Sequence, residues 1–216
     1  MKLGNSSKSK KTIVYENLKK RIIHNTLKPG EPLNESNLSK ELKTSKTPIR
    51  EALQQLQKEG LVENIPGKGS FVSRISFQDI REIHEIREIL ECEAIKRAIM
   101  KVDKEKLKLL RERFTSSEYG KEKSELSFFK SGDQIHTFIF ETLGNTRLTE
   151  IYKGLQDHIV RNRIYFFNQS PSARSKESFQ EHLEILDAME AQDPERAEKA
   201  VRNHLRNSLE YLKKIL

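Results

Sequence analysis

The sequence predicts a mainly α-helical protein in two parts. Three helices and a two-stranded hairpin occupy residues 1–75, and an all-α antiparallel bundle of six to seven helices occupies residues 76–216. Three observations predict it. Leucine and isoleucine recur at helical spacing along most of the 216 residues. Late in the first third a pair of short apolar runs flanks "PGKG", a hairpin signal. The charge divides at the same place. Of 40 basic and 32 acidic residues, residues 1–75 hold 15 and 7, which leaves 25 of each, and no net charge, for residues 76–216.

Composition narrows the class. The chain is 35% hydrophobic and 33% charged, polar but periodic enough to fold. One cysteine, Cys92, allows no intramolecular disulfide and suits a reducing interior. No apolar run approaches the ~20 residues of a membrane span. The opening "MKLGNSSKSKK" has no apolar core after its charges, unlike a secretory signal, and residues 1–10 are expected to form a flexible tail. A cytoplasmic protein without membrane contact is expected. A compact basic module on a neutral body suggests a polyanion-binding head, with nucleic acid as the polyanion; a basic stretch that only aids solubility is the rival reading.

Within the head, Val14, Leu18 and Ile22 stripe a first helix, about residues 12–25. "LKPGEPL" ends it at a Pro-Gly turn. Asn34 caps a second helix over about 35–42, with Leu38 and Leu42 inward. A third starts near Ser45 or Thr47, tolerates Pro48 in its first turn, turns Ile49, Leu53 and Leu56 inward and stops at Gly60. "LVENI" and "SFVS" then make two strands joined by "PGKG". This element order is that of a winged helix-turn-helix.

The outward face of the third helix carries Lys46, Thr47, Arg50 and Gln54. Arginine can bond guanine with two prongs, glutamine can bond adenine, and threonine and lysine can hold phosphate. Lys68 sits at the wing tip between Gly67 and Gly69, where missing Cβ atoms allow close backbone approach. A solvated basic helix face is the alternative to DNA readout. The run "TPIREALQQLQKEGLV" with the wing "GKGSFV" resembles the DNA-binding domain of the GntR family of bacterial transcription regulators, whose pattern is "TPVREAL..L...GLV" followed by "G.G.FV". That family commonly has arginine just before "TP"; here it is Lys46, which lacks the guanidinium fork.

From Phe77 on the pattern stays helical, with helices expected over 103–117, 122–143, 146–168, 175–191 and 194–214 after a first one striped by Ile80, Ile83, Ile86, Ile89 and Leu90. Asp193-Pro194 marks the last start. His136 aligns with Phe129, Ile139, Phe140 and Leu143, His182 with Phe179, Ile185, Leu186 and Met189, and His204 with Ala197, Ala200, Val201 and Tyr211, so all three are expected inside. Inward histidines are often plain core residues, but three on separate helices suit a divalent transition metal. His84, among Arg81, Arg87, Glu88 and Glu91, is expected to face outward or bear on charges.

The segments "IREILECEAIKRA", "IHTFIFETLGN", "EHLEIL" and "AEKAVRNHL" resemble the FCD ligand-sensing domain of the FadR branch of that family. The resemblance implies a metal site of three histidines and one aspartate, here His136, His182 and His204, for Zn, Ni or Mn. The family aspartate stands four residues before the first histidine. Gly132 has that place here, and Asp133, three before, is the candidate, since i,i+3 pairs also share a helix face. It also implies a small organic, sugar or amino acid effector at or near that metal. Arg87 and Arg161 are candidates for its carboxylate, against a rival reading as ion pairs with Glu91 and Asp157.

The expected function is a ligand-responsive DNA-binding transcription regulator, not an enzyme. It would act as a homodimer on a pseudo-palindromic double-stranded operator and, as in most of the family, as a repressor released by its effector. The alternatives are a helical-bundle metalloenzyme with a basic appendage and an architectural DNA binder without a sensor.

Overall fold

The computed structural model describes residues 9–116, 125–167 and 174–215, with residues 125–131 and 167 described by backbone alone. Most of the expected tail over 1–10, the side chain of Phe129, the helix end at 117 and start at 122, the break "EYGKEK" and "NQSPSAR" up to its final arginine lie outside the described residues. Among the described residues there are nine α-helices, one short 3-10 turn and one two-stranded sheet. Two compact units form: Met1–Ser76 with Asp157–Tyr165, and Phe77–Gln156 with Phe166–Leu216.

The first unit begins with α1 (Lys10–Ile23), where the Ser9 hydroxyl accepts the Thr12 amide at 3.1 Å and satisfies one of the first-turn donors. In α2 (Glu35–Glu41) Asn34 Oδ1 caps both Ser36 and Asn37. Helix α3 (Lys46–Lys58) starts after extended Ser45, carries Pro48 in its first turn and ends before Gly60, which takes φ 73° beyond the last turn. Strands β1 (Val62–Ile65) and β2 (Gly69–Val72) pair antiparallel with Val62 opposite Val72 and Ile65 opposite Gly69. The other edge of β2 is covered: Leu33 donates to the Ser70 carbonyl and Val72 to that of Glu31. One core holds the unit together. It contains Val14, Leu18 and Ile22 from α1, Leu38 from α2, Ile49, Leu53 and Leu56 from α3, and Val62 and Val72 from the wing.

The second unit is all helical: α4 (Phe77–Ala98), α5 (Lys104–Ser116), α6 (Glu125–Leu143), α7 (Thr146–Phe167), α8 (Ser175–Glu190) and α9 (Pro194–Ile215), with residues 157–165 of α7 belonging to the first unit. Three of its helices start at side-chain caps that accept backbone amides, from Asp103 for α5, Asn145 for α7 and Asp193 for α9. Its buried apolar residues include Ile95, Phe114, Ile139, Phe140, Leu186, Met189, Val201 and Leu205. No described helix is long and apolar enough to cross a membrane.

Helix α4 departs from the expected stripe. Of the isoleucines in that stripe only Ile80 is buried, while Ile86 is 41% and Ile89 72% exposed. The buried line runs instead through His84, Arg87, Glu91, Cys92, Ala94, Ile95 and Ala98. His84, expected to face outward or bear on charges, is buried, with Nδ1 2.9 Å from the Ile80 carbonyl oxygen. The expectation took the isoleucines as the core face. An ion pair buried beside the histidines rotates that face by about one residue.

Leu56 is fully enclosed in the first unit's core. Leu56→Ala is expected to lower the unfolding free energy by about 2–5 kcal/mol, measured by urea denaturation.

Candidate functional site

In the first unit, α3 separates its residues by face. Pro48, Ile49, Ala52, Leu53 and Leu56 are buried, and Lys46, Thr47, Arg50 and Gln54 are exposed at the same helix's other side. Gly67, Lys68 and Gly69 are exposed at the wing tip, with φ 74° at Gly67 and 95° at Gly69. The Lys68 amide closes the turn on the Ile65 carbonyl at 2.9 Å. All seven residues singled out in the head are therefore solvent-facing. Free amides at the start of α3 add a partial positive charge suited to phosphate.

In the second unit, α6, α8 and α9 bring His136, His182 and His204 together. Their ligand atoms lie within 4.8 Å of one another, and all three rings are buried. An acceptor close to Nδ1 orients each ring. His182 Nδ1 is 2.6 Å from the Ser178 carbonyl oxygen, one turn back on α8, and a carbonyl can only accept. His204 Nδ1 is 2.9 Å from Glu181 Oε2, and His136 Nδ1 is 2.6 Å from Glu91 Oε2. Each Nδ1 thus carries the proton and each Nε2 keeps a lone pair. His136 Nε2 and His182 Nε2 face each other at 3.3 Å. Two lone pairs at that distance repel unless a proton or cation sits between them. Nitrogens about 2.0–2.1 Å from a shared zinc ion would stand at that separation for an angle of about 105°. The donor set fits a divalent transition metal on these grounds.

The outer partners are themselves held. Glu91 Oε1 accepts Arg87 Nε at 2.7 Å, with both residues buried on α4. Burial works against the Glu91 charge, yet Arg87 and His136 beside it hold the carboxyl well below the usual range. Glu181 receives Arg174 and also Asn207 Nδ2 at 2.7 Å. Burial, with Arg87 and Arg174 nearby, pushes His204 well below the ordinary imidazole value and favours the neutral form a metal needs. Phe114 and Phe179 stack at 5.0 Å, and Phe114 also packs on the His182 ring.

The structure does not bring Asp133 to the three imidazoles: its carboxylate is not among the ligand atoms gathered within 4.8 Å. The residue that faces them is Gly132. A Cβ there would lie 3.1 Å from both Cε1 and Nε2 of His182. One residue further along a helix turns about 100°, and Asp133 stands close enough to Arg87 for its charge to act there. Arg87 lies beside the cluster, and its Nη2 is buried with no hydrogen-bond partner among the described residues. Its ion pair with Glu91 is present as well, so the two readings of Arg87 are not exclusive. Arg161 belongs to the first unit, where it donates to the Ser73 carbonyl, and Asp157 pairs there with Lys19 at 2.6 Å. Sequence reasoning did not single out Glu91 or Glu181 as partners of the histidines. Glu91 lies 45 positions before His136 and Glu181 lies 23 before His204, so no spacing rule links them. Their only visible signal was an acidic residue inside an otherwise buried helix face.

Residues 10–72 match the model for bacterial regulatory proteins of the gntR family, and residues 82–207 match the FCD domain. The chain is 30% identical over 206 residues to the HTH-type transcriptional regulator YdhC of Bacillus subtilis, covering 94% of this chain and 90% of that protein. It is 27% identical over 204 residues to the HTH-type transcriptional repressor RspR of Escherichia coli, covering 94% and 88%. Among solved structures it superposes on E. coli McbR/YncC with TM-score 0.79 at 22% identity, covering 96% of this chain and 99% of that one. A transcriptional regulator from Rhodococcus sp. RHA1 gives TM-score 0.73 at 23% identity, covering 96% and 99%. The chain belongs to the GntR family and carries its FCD domain; its relatives are transcription regulators, not enzymes.

Glu91→Gln removes the charge that orients His136. It is expected to weaken zinc binding by about 10–100-fold, measured by competition with a chromophoric chelator. Gly132→Ala is expected to weaken it too by displacing the His182 ring, with thermal unfolding of the metal-free protein little changed.

Proposed function

We propose that the protein is a metal-dependent, effector-responsive repressor that binds a pseudo-palindromic operator as a homodimer. The observation that carries the effector reading is Arg87 Nη2, a buried guanidinium nitrogen without a partner beside three histidines whose Nε2 lone pairs converge. A buried donor left unpaired is costly, and a carboxylate is the group that a guanidinium fork accepts best. His136, His182 and His204 would hold the metal; when bound, it supplies positive charge and open coordination positions for an anionic oxygen. Neutral imidazoles leave that charge uncancelled, which favours an acidic effector. Glu91 holds Arg87 from the Nε side and leaves the Nη2 side for the ligand. Organic, sugar or amino acids that offer one carboxylate match this donor set. Arg161, bonded to Ser73, is not included in the effector site.

On DNA, Arg50 and Gln54 would read base edges while Lys46, Thr47 and Lys68 hold phosphates, with the wing's glycines letting its backbone come close. An effector acts only through unequal affinity for the DNA-competent and DNA-released arrangements. The repressor relatives and the two-fold demand of a palindromic site support this sign and stoichiometry.

The test is a thermal-shift series of small carboxylic acids with and without zinc. An acid that raises the melting temperature only with metal, and that dissociates the protein from DNA fragments of its own upstream region, is the expected result. An unchanged melting temperature in every combination overturns the effector site. Arg50→Ala is expected to relax base preference and weaken specific binding by about ten- to a hundredfold, whereas Lys68→Ala weakens all sequences alike, both read by fluorescence anisotropy at fixed salt.

A further inference from the structure

We propose that Glu35 is a positioning residue that fixes the base-reading fork of Arg50, and so helps to set operator specificity without touching the base itself. The inference rests on the reading of α3 as the recognition helix. Glu35 is the first residue of α2, and its carboxylate accepts two bonds from Arg50: Nε to Oε1 at 3.1 Å and Nη2 to Oε2 at 2.9 Å. A guanidinium has two forked edges. The side edge offers Nε–H with one hydrogen of Nη2, and the end edge offers one hydrogen from each terminal nitrogen. Glu35 takes the side edge. The end edge remains, directed away from the carboxylate, and it can meet guanine O6 and N7 together. The exposures agree: the Arg50 side chain is 62% exposed and that of Glu35 31%, so the acid lies behind and the guanidinium in front.

Two features argue against a merely structural pair. Exposed ion pairs contribute little to stability, and α2 is already joined to α3 through Leu38, Ile49 and Leu53 in the buried core. An acid here also works against phosphate binding, because it stands close enough to both Arg50 and Lys46 for their charges to hold its carboxyl below the usual range. A surface built only to attract the DNA backbone would do better without it. What the acid adds is direction. An unrestrained arginine can swing between phosphate and base, and a carboxylate on its side edge removes that freedom before the DNA arrives.

The experiment uses the full chain and a randomised double-stranded DNA library. Wild type, R50A, E35Q and E35A are each taken through binding selection, and dissociation constants are then measured for the wild-type duplex and its single-pair variants at one salt concentration. The expected result is that R50A, E35Q and E35A lose preference at the same base pair. A wild-type penalty of about tenfold or more for replacing that pair falls below about threefold, while penalties at the other positions and the melting temperature stay as they were. If E35Q and E35A keep the full penalty at that pair while R50A loses it, Glu35 has no positioning role and the recognition helix stands. If both variants bind every sequence more tightly with unchanged preferences, Glu35 is a simple repulsive charge and the proposal is wrong. If R50A itself keeps the penalty, the reading of α3 fails and the proposal falls with it.

Discussion

A buried chain of charge organises the helical unit: Arg87 to Glu91 to His136, with the first two on α4 and the third on α6. A carboxylate and a guanidinium in a dry interior each carry a large desolvation cost, which only close partners offset. Glu91 has such partners on both oxygens, and its charge in turn fixes which nitrogen of His136 holds the proton. Glu181 does the same for His204, and a helix carbonyl does it for His182. Three different acceptors therefore impose one tautomer on three rings, and the Nε2 atoms are left facing one another. Without that outer layer, the same histidines on the same helices could pair with each other or rotate away.

The head solves the opposite problem with the same residue types. Its charges lie outside a continuous apolar core, so Arg50 and Glu35 meet in water, where their attraction is worth little for folding. Burial makes the Arg87–Glu91 pair a structural commitment, whereas the Arg50–Glu35 pair stays in contact with solvent. In both places a carboxylate holds the Nε side of an arginine and leaves other nitrogens for something else. The difference lies in the dielectric around them.

Much of this was legible in the sequence. Caps at Asn34 and Asp193, the stop at Gly60 and the Pro-Gly-Lys-Gly turn mark the head and the last helix because they act through neighbours in the chain. The stripes around His182 and His204 were also sound, since their companions Phe179, Leu186, Val201 and Ala200 are buried. Helix α4 misled because isoleucine counts as core in any periodicity argument, whereas Ile86 and Ile89 are exposed and Arg87 and Glu91 are inside. Asp133 was harder to place, because an i,i+3 relation to His136 makes a shared face permissible but does not aim the side chain; its carboxylate is not among the gathered ligand atoms, and a Cβ at Gly132 would stand 3.1 Å from the His182 ring.

Sequence alone determined the order of elements, the division of charge and the inward or outward side of most helix positions, because these follow from contacts a few residues apart. Tertiary structure alone decided which acids stand behind which histidines, that Gly132 and not Asp133 faces the cluster, and that Glu35 grips Arg50. The physical reason is that these contacts join residues 15 to 50 positions apart. Their directions depend on how helices pack, and no local spacing rule carries that information.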